Sequence, residues 1–475
     1  MTVLGDASSP APTQPRTARP HTTHPRTARP SAAPGSGNGP TPRLRPQALL
    51  TGIRVGAGAT AATWAVQVVP SARLDAVLAT GAHLAGLLAG YGVLVMLLLM
   101  ARVPAIEHGV GADVLARWHA RGGRYVLALL GAHVLLATAG FAAHSGRDLI
   151  TSARAVLAFP ALAGAAAGTL LFALVGAVSA RPVRRRVRHE TWRGVHLLTH
   201  PAAALVFAHE LAGPDLAGRS AVGWLWSVLH AQVAVLLLWY RCVVPVRQFR
   251  RHRLRVLRVR AEGPGVVSVL IAGERLDELR LESGQFLRWR FLTRRLWCTA
   301  LPFSLSAAPQ AGLLRITVRA AGDHTRRVRR LRPGVRVAAT GPFGAMTAHR
   351  RTRRKVLLLA GGVGITPMRA LLETLPGGPG DIALLYRAGA AEQLVLRQEI
   401  EAIAARRQAA LHYLLGPSQG EYNPLAPALL LRLLPDLAER DVFLCGPPGM
   451  TGAAVRALET AGVPRERIHH ESFAF

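Results

Sequence analysis

The most prominent pattern in the chain is a series of long apolar segments in its first half. A membrane-spanning helix needs about 20 mostly apolar residues. Six segments meet that length, at approximately 50–70, 76–101, 122–143, 155–180, 193–212 and 221–241. The second and fourth carry no charge, whereas the fifth contains one proline and three histidines. The pattern predicts a multidomain protein with a six-helix α-helical transmembrane bundle over residues 48–243.

The distribution of arginine gives this bundle an orientation. The chain holds 58 Lys+Arg against 26 Asp+Glu, a net charge of +32. Such an excess first suggests nucleic acid or an anionic surface, but much of it lies beside apolar segments, as in Arg181–Arg186 and Arg247–Arg255. Flanking arginine is concentrated in the loops at 102–121 and 181–193 and after 241, and is sparse near 71–75, 144–154 and 212–220. By the positive-inside rule we expect a multi-pass protein of the cell membrane with both termini cytoplasmic, and no nucleic-acid partner.

Two other features narrow the chemistry. Residues 1–47 are rich in proline and arginine and contain the near-repeat Pro15–Pro20 and Pro25–Pro30, which is typical of a disordered cytoplasmic tail. No cleavable signal peptide is evident, because the first apolar stretch begins late. The three cysteines form no CxxC pair, which disfavours disulfides, four-cysteine zinc and iron–sulfur clusters. Any electron carriers are therefore organic or bound by histidine.

The pattern changes after about residue 250. Short Val/Leu/Arg alternations bounded by Gly and Pro predict a small β-barrel domain over 250–346. Over 350–475, apolar strands such as Lys355–Ala360 and Ile382–Tyr386 alternate with helical patterns, which predicts an α/β nucleotide-binding domain.

Four histidines occupy matched depths on the third and fifth predicted helices, His119 just before the third apolar segment and the others within the segments. His119 and His133 are fourteen residues apart, so they share a helix face about 21 Å apart along the axis. His196 and His209 are thirteen apart, a rise of about 20 Å. Because the two helices run in the same direction, His119 lies level with His196 and His133 with His209. Histidine is costly inside a bilayer and is an axial ligand of haem iron, so we expect two stacked bis-histidine haems.

Alternatives remain for these histidines. On an ideal helix the thirteen-residue spacing leaves the second ring about 140° from the first, so a bulge or a kink near Pro201 has to absorb the difference. His200 lies one turn beyond His196 on the same face and competes with it as a ligand. Interfacial histidines can also simply cap helices or bind backbone carbonyls.

The residues around these histidines resemble a known family. Arg117-Trp118-His119, Gly123-Arg124-Tyr125, and Glu190-Thr191-Trp192 with His196-Leu197-Leu198-Thr199 are similar to the ferric reductase/NADPH oxidase transmembrane domain. The resemblance implies the same fourteen- and thirteen-residue ligand spacings. It identifies His119, His133, His196 and His209 as ligands of two b-type haems.

Two segments of the predicted β-barrel resemble the flavin motifs of ferredoxin-reductase-like dehydrogenases. Pro302-Phe303-Ser304-Leu305-Ser306 ends a strand pattern, and its hydroxyls suit the edge of a flavin ring, although an ordinary core strand explains it equally well. Many relatives have histidine where this chain has Leu301. Gly322-Asp323-His324-Thr325 resembles the pyrophosphate segment, with a simple β-turn as the alternative. The implied FAD-binding residues are Pro302, Phe303, Ser304, Ser306, Gly322, Asp323, Thr325 and the terminal Phe475, whose counterpart in relatives covers the flavin.

The α/β domain contains a candidate NAD(P)H site. Gly361-Gly362-Val363-Gly364-Ile365-Thr366-Pro367 follows an apolar strand and opens a helix, where glycines let the backbone approach a phosphate at the helix N-terminus. A purely structural turn is the alternative, and the spacing is not that of a Rossmann fingerprint. Arg387 could bind a 2′-phosphate, which favours NADPH over NADH only modestly. Cys445-Gly446-Pro447 resembles the segment beside the nicotinamide. The predicted residues are Gly361, Gly362, Gly364, Thr366, Arg387, Cys445, Gly446 and Pro447.

Together these features predict a membrane oxidoreductase. Electrons would pass from cytoplasmic NAD(P)H through FAD and two haems to a ferric chelate or O₂ at the outer face. One alternative is a flavoreductase whose membrane half is a haem-free anchor, and another is a non-enzymatic basic adaptor.

Overall fold

The membrane half consists of helices. The structure is a computed structural model that describes residues 44–213, 216, 221–416 and 423–472, so the predicted N-terminal tail lies almost entirely outside the described residues. The helices are α1 (Pro46–Gln67), α2 (Leu74–Leu99), α3 (Pro104–Val110), α4 (Ala112–Ser145), α5 (Leu149–Ala158), α6 (Ala163–Ser179), α7 (Arg181–Arg184), α8 (His189–His196), α9 (Thr199–Ala212), α10 (Ala221–Leu238) and α11 (Val244–His252). A π-helical turn, Trp239–Val243, joins α10 to α11.

Fewer helices than six meet the requirements for crossing a bilayer. Within the described ranges three do so, namely Leu74–Leu99, Val114–Ser145 and Ala221–His252. The bent pair α5 and α6 makes a fourth if it is counted as one span. The segments predicted at 50–70 and 193–212 are helical as α1 and as α8 with α9, but the first is less apolar and the second is broken into two short helices.

Close packing in the membrane half depends on small residues. A side chain at Gly86 would lie 2.8 Å from His133 Nδ1, and one at Gly92 would lie 2.6 Å from Val126 Cγ2. Both glycines are on α2 and face α4. Without a hydrophobic driving force between helices in lipid, such residues permit the close approach that makes packing favourable. Here they bring α4, which carries two of the candidate ligands, directly against α2.

The break between α8 and α9 lies at Leu197 and Leu198. Pro201 has no N–H to donate to the carbonyl of Leu197. That carbonyl instead accepts from His200 N at 3.1 Å and contacts His200 Nδ1 at 3.1 Å. A bond between residues three apart, such as this one, winds a helix more tightly than the α-helical bond. The helix therefore departs from ideal geometry between His196 and His209, where their thirteen-residue spacing requires it.

The first soluble lobe contains two antiparallel three-stranded sheets. Their orders are β1-β2-β5 and β4-β3-β6, and isolated bridges Arg255↔Arg336 and Leu305↔Ile316 connect them. Closure into a barrel stays a prediction. The elements are β1 (Arg255–Gly263), β2 (Val266–Ala272), β3 (Phe286–Phe291), β4 (Leu301–Ser304), β5 (Leu313–Arg319), α12 (Asp323–Val328) and β6 (Val337–Phe343).

The second soluble lobe contains a parallel sheet of order β11-β10-β7-β8-β9. Strands β7, β8 and β10 are buried along their whole length, as expected for parallel strands covered on both faces. The elements are β7 (Val356–Gly361), α13 (Ile365–Thr374), β8 (Ile382–Arg387), α14 (Arg397–Arg407), β9 (Ala410–Leu414), α15 (Pro427–Leu433), β10 (Asp441–Gly446), α16 (Pro448–Thr460) and β11 (Ile468–Ser472). The predicted α/β alternation is thus present.

Several polar contacts join the membrane half to the first lobe. Gln248 Nε2 on α11 donates to the carbonyl of Gly341 at 2.7 Å, and His108 Nε2 lies 3.3 Å from the carbonyl of Pro342. On the other side, Glu190 Oε1 lies 2.9 Å from His324 Nε2. The end of the bundle that carries α8 therefore faces the lobe that carries the candidate flavin segments.

Candidate functional site

The histidine pair farther from the first soluble lobe, His133 and His209, which we call the outer pair, lies between α4 and α9. The ring centroids of His133 and His209 are 6.3 Å apart. His133 Nδ1 is 2.8 Å from the carbonyl of Ala82 on α2, a contact that requires Nδ1 to carry the proton. With Nδ1–H donating, Nε2 keeps its lone pair, which is how a histidine is oriented for a metal.

The other pair, His119 and His196, which we call the inner pair, lies nearer the first soluble lobe, which carries the candidate flavin segments and which we call the flavin lobe. The ring centroids of His119 and His196 are 5.9 Å apart, and Trp192 stacks on His196 with centroids 5.0 Å apart. Nδ1 of both histidines is buried without a hydrogen-bond partner among the described residues. An unsatisfied buried polar atom costs about 1–3 kcal/mol, so this pair is better suited to a bound group than to an empty interior.

Both separations fit a metal between the rings. Two metal–imidazole bonds of about 2 Å, together with the distance from each ring nitrogen to its ring centre, would place the two ring centroids about 6 Å apart. His200, the competing residue, is exposed and its Nδ1 contacts the Leu197 carbonyl. The structure thus brings together the four histidines in the pairs that the sequence predicts. Clusters of three or more metal-ligating side chains are absent from the part of the chain that the structure describes.

The first flavin segment contains one free and one engaged hydroxyl. Ser304 Oγ is buried and has no hydrogen-bond partner among the described residues. Ser306 Oγ accepts a hydrogen bond from Thr317 Oγ1 at 2.8 Å, and Thr317 also contacts Ser268 at 2.8 Å. Pro302 and Phe303 lie beside Ser304 on β4. The hydroxyl of Ser304 is therefore available to bind the edge of a flavin, whereas that of Ser306 holds the segment after β4 against β5.

The second flavin segment is a helix start. Thr325 Oγ1 accepts from the backbone N–H groups of Ala321 and Gly322, both at 2.9 Å, and Asp323 is ion-paired with Arg326. Thr325 thus shapes the turn, and its predicted contact with pyrophosphate stays a prediction. The predicted cover by Phe475 lies outside the described residues.

The glycine-rich NAD(P)H segment packs against the predicted nicotinamide segment. A side chain at Gly364 would lie 2.2 Å from the carbonyl oxygen of Cys445, and one at Gly361 would lie 2.0 Å from Met450 Sδ and 3.3 Å from Pro447 Cδ. Gly362 has a φ of +54°, which favours glycine. Strands β7 and β10 are adjacent and parallel, so both turns lie at the same edge of the sheet, where α/β folds bind ligands.

Other residues of this segment are held by the fold. Thr366 Oγ1 donates to the carbonyl of Val363 at 3.0 Å. The hydroxyl of Tyr386 donates to the carbonyl of Gly362 at 3.2 Å and accepts from Val395 N at 3.0 Å, and burial raises its pKa to about 12. These contacts keep the glycine turn in one conformation.

Arg387 does not offer its guanidinium to a ligand in this structure. It is buried and donates to the carbonyls of Ala388, Leu414 (3.2 Å) and Gly416 (2.6 Å). Its predicted contact with a 2′-phosphate is not supported by these bonds, and NADPH over NADH stays a prediction.

Sequence reasoning missed a charged network between the two soluble lobes, which we call the lobe clamp: Arg315, Arg369, Glu373 and Glu399. Arg315 binds both carboxylate oxygens of Glu399 at 2.8 Å and the carbonyl of Ser306 at 2.7 Å. Arg369 contacts Glu399 at 3.1 Å and is paired with Glu373, which accepts from Ala308 N at 3.1 Å.

The lobe clamp therefore connects residues 306–308, which follow β4, to α13 and α14 of the second soluble lobe. Burial raises the pKa of Glu399, but the hydrogen bond and charge of Arg315 outweigh it and leave that pKa below its usual value. No local motif marks Arg315 in so arginine-rich a chain.

Comparison with known proteins agrees with this division of the chain. Residues 85–207 match the ferric reductase like transmembrane component, and residues 358–456 match the oxidoreductase NAD-binding domain. The ferredoxin reductase component of 3-ketosteroid-9-alpha-monooxygenase from Mycolicibacterium smegmatis is 32% identical over 205 residues, 42% of this chain and 57% of that protein. The glycine betaine monooxygenase reductase subunit from Pseudomonas aeruginosa is 30% identical over 152 residues, 30% of this chain and 42% of that protein.

Among solved structures, the ferredoxin reductase in carbazole 1,9a-dioxygenase is 24% identical, with a TM-score of 0.40 over 47% of this chain and 69% of that one. The chain spans about half the length of the curated relatives it matches. The chain is therefore similar to the ferric reductase like transmembrane component in its membrane half and to the oxidoreductase NAD-binding domain in its second soluble lobe.

Proposed function

We propose that the protein passes electrons from cytoplasmic NAD(P)H through FAD and two bis-histidine haems to an acceptor on the outer face of the cell membrane. The carrying observation is that four histidines on two helices form two pairs, with ring centroids 5.9 and 6.3 Å apart. Flavin, when bound, converts a two-electron donor into the one-electron steps that haem iron requires.

The residues of the chain suggest the order of transfer. His119 and His133 lie on one continuous helix, α4, so the two pairs are separated by about 21 Å along it. The His119/His196 pair lies at the end that meets the flavin lobe, where Arg193 Nη1 contacts the carbonyl of Cys298 at 3.4 Å. Glycines 361, 362 and 364 admit the nicotinamide nucleotide, and Ser304 binds the flavin edge.

The proposal includes six transmembrane helices, both termini in the cytoplasm and a closed barrel in the first lobe. Three clear spans and the bent α5–α6 pair support a multi-pass arrangement. The bridges between the two sheets of the first lobe support closure. The acceptor we propose is a ferric chelate or O₂.

Visible spectroscopy of the purified full chain, before and after NADPH, tests the proposal. We expect Soret absorbance equivalent to two haems and a shift of the haem bands on reduction. Absence of Soret absorbance under haem-replete expression would favour the haem-free flavoreductase. If NADPH does not drive reduction of a ferric chelate under anaerobic conditions, but superoxide forms in air, the result would favour O₂ as the acceptor.

A further inference from the structure

An arginine-lined cavity lies where the last membrane helix meets the first soluble lobe. Its volume is about 390 Å³, within the range of small-molecule sites, and its lining comprises Arg247, Arg250, Arg251, Arg253, Glu274 and Arg275. We propose that this cavity, the arginine pocket, binds the phosphate of an anionic membrane lipid. The proposal rests on the membrane placement of α10 and α11 described above, and it assigns no step of electron transfer.

The walls of the arginine pocket are fixed by the fold. Glu274 N donates to the carbonyl of His252 at 2.9 Å, and His252 Nδ1 lies 3.2 Å from the carbonyl of Glu274. A side chain at Gly273 would lie 2.5 Å from Leu254 Cδ2 and 3.0 Å from the His252 carbonyl. The end of α11 and the loop after β2 are thereby held together, so arginines from two separate segments converge.

Two of these arginines adopt an unusual backbone conformation. Arg253 has a φ of +42° and Arg275 a φ of +51°, in the left-handed region that non-glycine residues rarely occupy. Such conformations persist where the surroundings enforce them and are enriched at ligand-binding positions. Here they direct both residues to the same cavity.

Carboxylates of the protein pair with only two of the five arginines that line the described part of the arginine pocket. Arg251 is paired with Glu278, and Arg253 lies 3.6 Å from Glu274. Arg247, Arg250 and Arg275 have no carboxylate within 4 Å among the residues that the structure describes. Converging guanidinium groups without acidic partners are suited to phosphate, which their planar fork binds through paired hydrogen bonds.

The depth of the pocket favours a lipid over a free anion. The guanidinium of Arg247 lies over the ring of Trp239 at 5.8 Å, and Trp239 is 43% exposed. Exposed tryptophans mark the membrane–water interface. Arg250 lies about 4.5 Å further along the helix, which is headgroup depth, and a cluster of arginine just cytoplasmic of a span attracts anionic lipid.

The occupant would strengthen the junction with the flavin lobe. Gln248 binds the Gly341 carbonyl, and the guanidinium of Arg336 lies 4.8 Å from the centroid of the Phe249 ring. Both contacts are on α11, between the pocket arginines. A phosphate bridging Arg250 and Arg275 would hold α11 against the first lobe.

The test uses the full-length protein in a neutral detergent, titrated with phosphatidylglycerol, phosphatidylcholine or inorganic phosphate while its unfolding temperature is measured. We expect a saturable rise with phosphatidylglycerol, little with phosphatidylcholine and none with inorganic phosphate at equal concentration. In Arg250→Gln/Arg275→Gln the apparent affinity for phosphatidylglycerol should fall at least tenfold, since each charged hydrogen bond lost weakens binding. The matched control is Arg185→Gln/Arg186→Gln, which removes two exposed arginines from another loop of the same predicted face.

Three outcomes would overturn the proposal. An equal loss in the control variant would reduce the effect to the general attraction of basic loops to anionic lipid. An equal response to inorganic phosphate would mean that the site takes a free anion and not a lipid. Unchanged lipid affinity in the variant would exclude the pocket. If the double variant does not fold, Arg250→Gln alone removes one exposed side chain and is measured in the same way.

Discussion

The histidine pairs of the membrane half and the glycine turn of the second lobe form their sites in opposite ways. In the membrane half, side chains from separate helices meet, and His133 is oriented by a carbonyl of α2. In the second lobe, the backbone of Gly361–Gly364 approaches that of Cys445 because no side chain intervenes. Function should therefore be lost by removing a side chain in the first region and by adding one in the second.

The largest effect is expected from removing an outer ligand. If the histidine pairs hold two haems as proposed, His133→Leu or His209→Leu would remove a ligand of one of them, so we expect Soret absorbance per protein to fall by about half. Oxidation of NADPH should continue when an artificial electron acceptor takes electrons directly from the flavin, because the soluble lobes are unchanged. The measurement is the pyridine haemochrome content of each variant.

His200→Leu is the matched control for the outer pair, since it removes an exposed histidine from the same helix. It should keep both haems. A haem loss in His200→Leu, with an intact His209→Leu, would show that the paired geometry does not identify the ligands.

The second-largest effect is expected from adding a methyl group at Gly364 in the second soluble lobe. In Gly364→Ala the new Cβ would lie 2.2 Å from the carbonyl oxygen of Cys445, which belongs to a fully buried strand and cannot move aside cheaply. We expect NADPH-dependent FAD reduction to fall at least tenfold while haem content is unchanged. Overpacking of this kind costs about 1–3 kcal/mol of stability.

Gly449→Ala provides the control in the same lobe, because a Cβ there meets no atom within 4 Å. Its rate of FAD reduction should equal that of the wild type. Equal losses in both variants would mean that general destabilisation, and not the close approach at Gly364, explains the result.

The sequence predicted these two regions with unequal completeness. Helical spacing placed His119 and His133 on one face, and the family resemblance supplied the thirteen-residue partner spacing that ideal geometry opposes. The break at Leu197 depends on Pro201 and on carbonyl bonding, which spacing alone does not quantify. The six spans were less predictable, since length and apolarity do not show that the fifth segment is two helices.

In the soluble half, the alternation of strands and helices along the chain and the place of the glycine turn followed from the sequence pattern. The partners of individual side chains did not. Arg387 looked available for phosphate, but in the fold its charge is used by three carbonyls. Arg315 and Glu399 are 84 residues apart, and no local pattern connects them. Contacts between lobes depend on tertiary packing that the sequence leaves open.

The lobe clamp yields a third, intermediate prediction. Arg315→Met and Glu399→Gln should each slow hydride transfer to FAD several-fold, because residues 306–308 are no longer fixed to the second lobe. A double-mutant cycle should show a coupling free energy of about 1 kcal/mol or more. The control is Arg397→Met, which removes a solvent-exposed ion pair with Glu401 and should leave hydride transfer unchanged, because exposed pairs within one helix contribute little.

The clamp also makes stability depend on pH. The pKa of Glu399 in the folded protein lies below the ordinary glutamate value of 4.5, so the ionised carboxylate stabilises the fold above that value. This contribution is lost as the pH falls through the lower folded pKa. Urea unfolding between pH 7 and pH 3 should show a smaller acid-induced loss in Glu399→Gln than in the wild type, and identical curves would exclude the clamp from this effect.

The smallest effect concerns two hydroxyls that are two residues apart and differ in what they bind. Ser304 Oγ is buried without a partner among the described residues, whereas Ser306 Oγ accepts from Thr317. In Ser304→Ala we expect FAD affinity to fall about fivefold, the equivalent of one hydrogen bond of about 1 kcal/mol. The stability of the FAD-free protein should be unchanged or slightly higher, because a buried unsatisfied oxygen is removed.

Ser306→Ala should behave in the opposite way. It leaves the Thr317 hydroxyl without its acceptor, so the FAD-free protein should lose about 1 kcal/mol of stability, with little change in FAD affinity beyond that. Fluorescence titration of FAD and urea unfolding of the FAD-free protein measure the two quantities separately. If both variants lower FAD affinity equally and neither changes stability, it is wrong to assign the Ser304 hydroxyl to the ligand and the Ser306 hydroxyl to the fold.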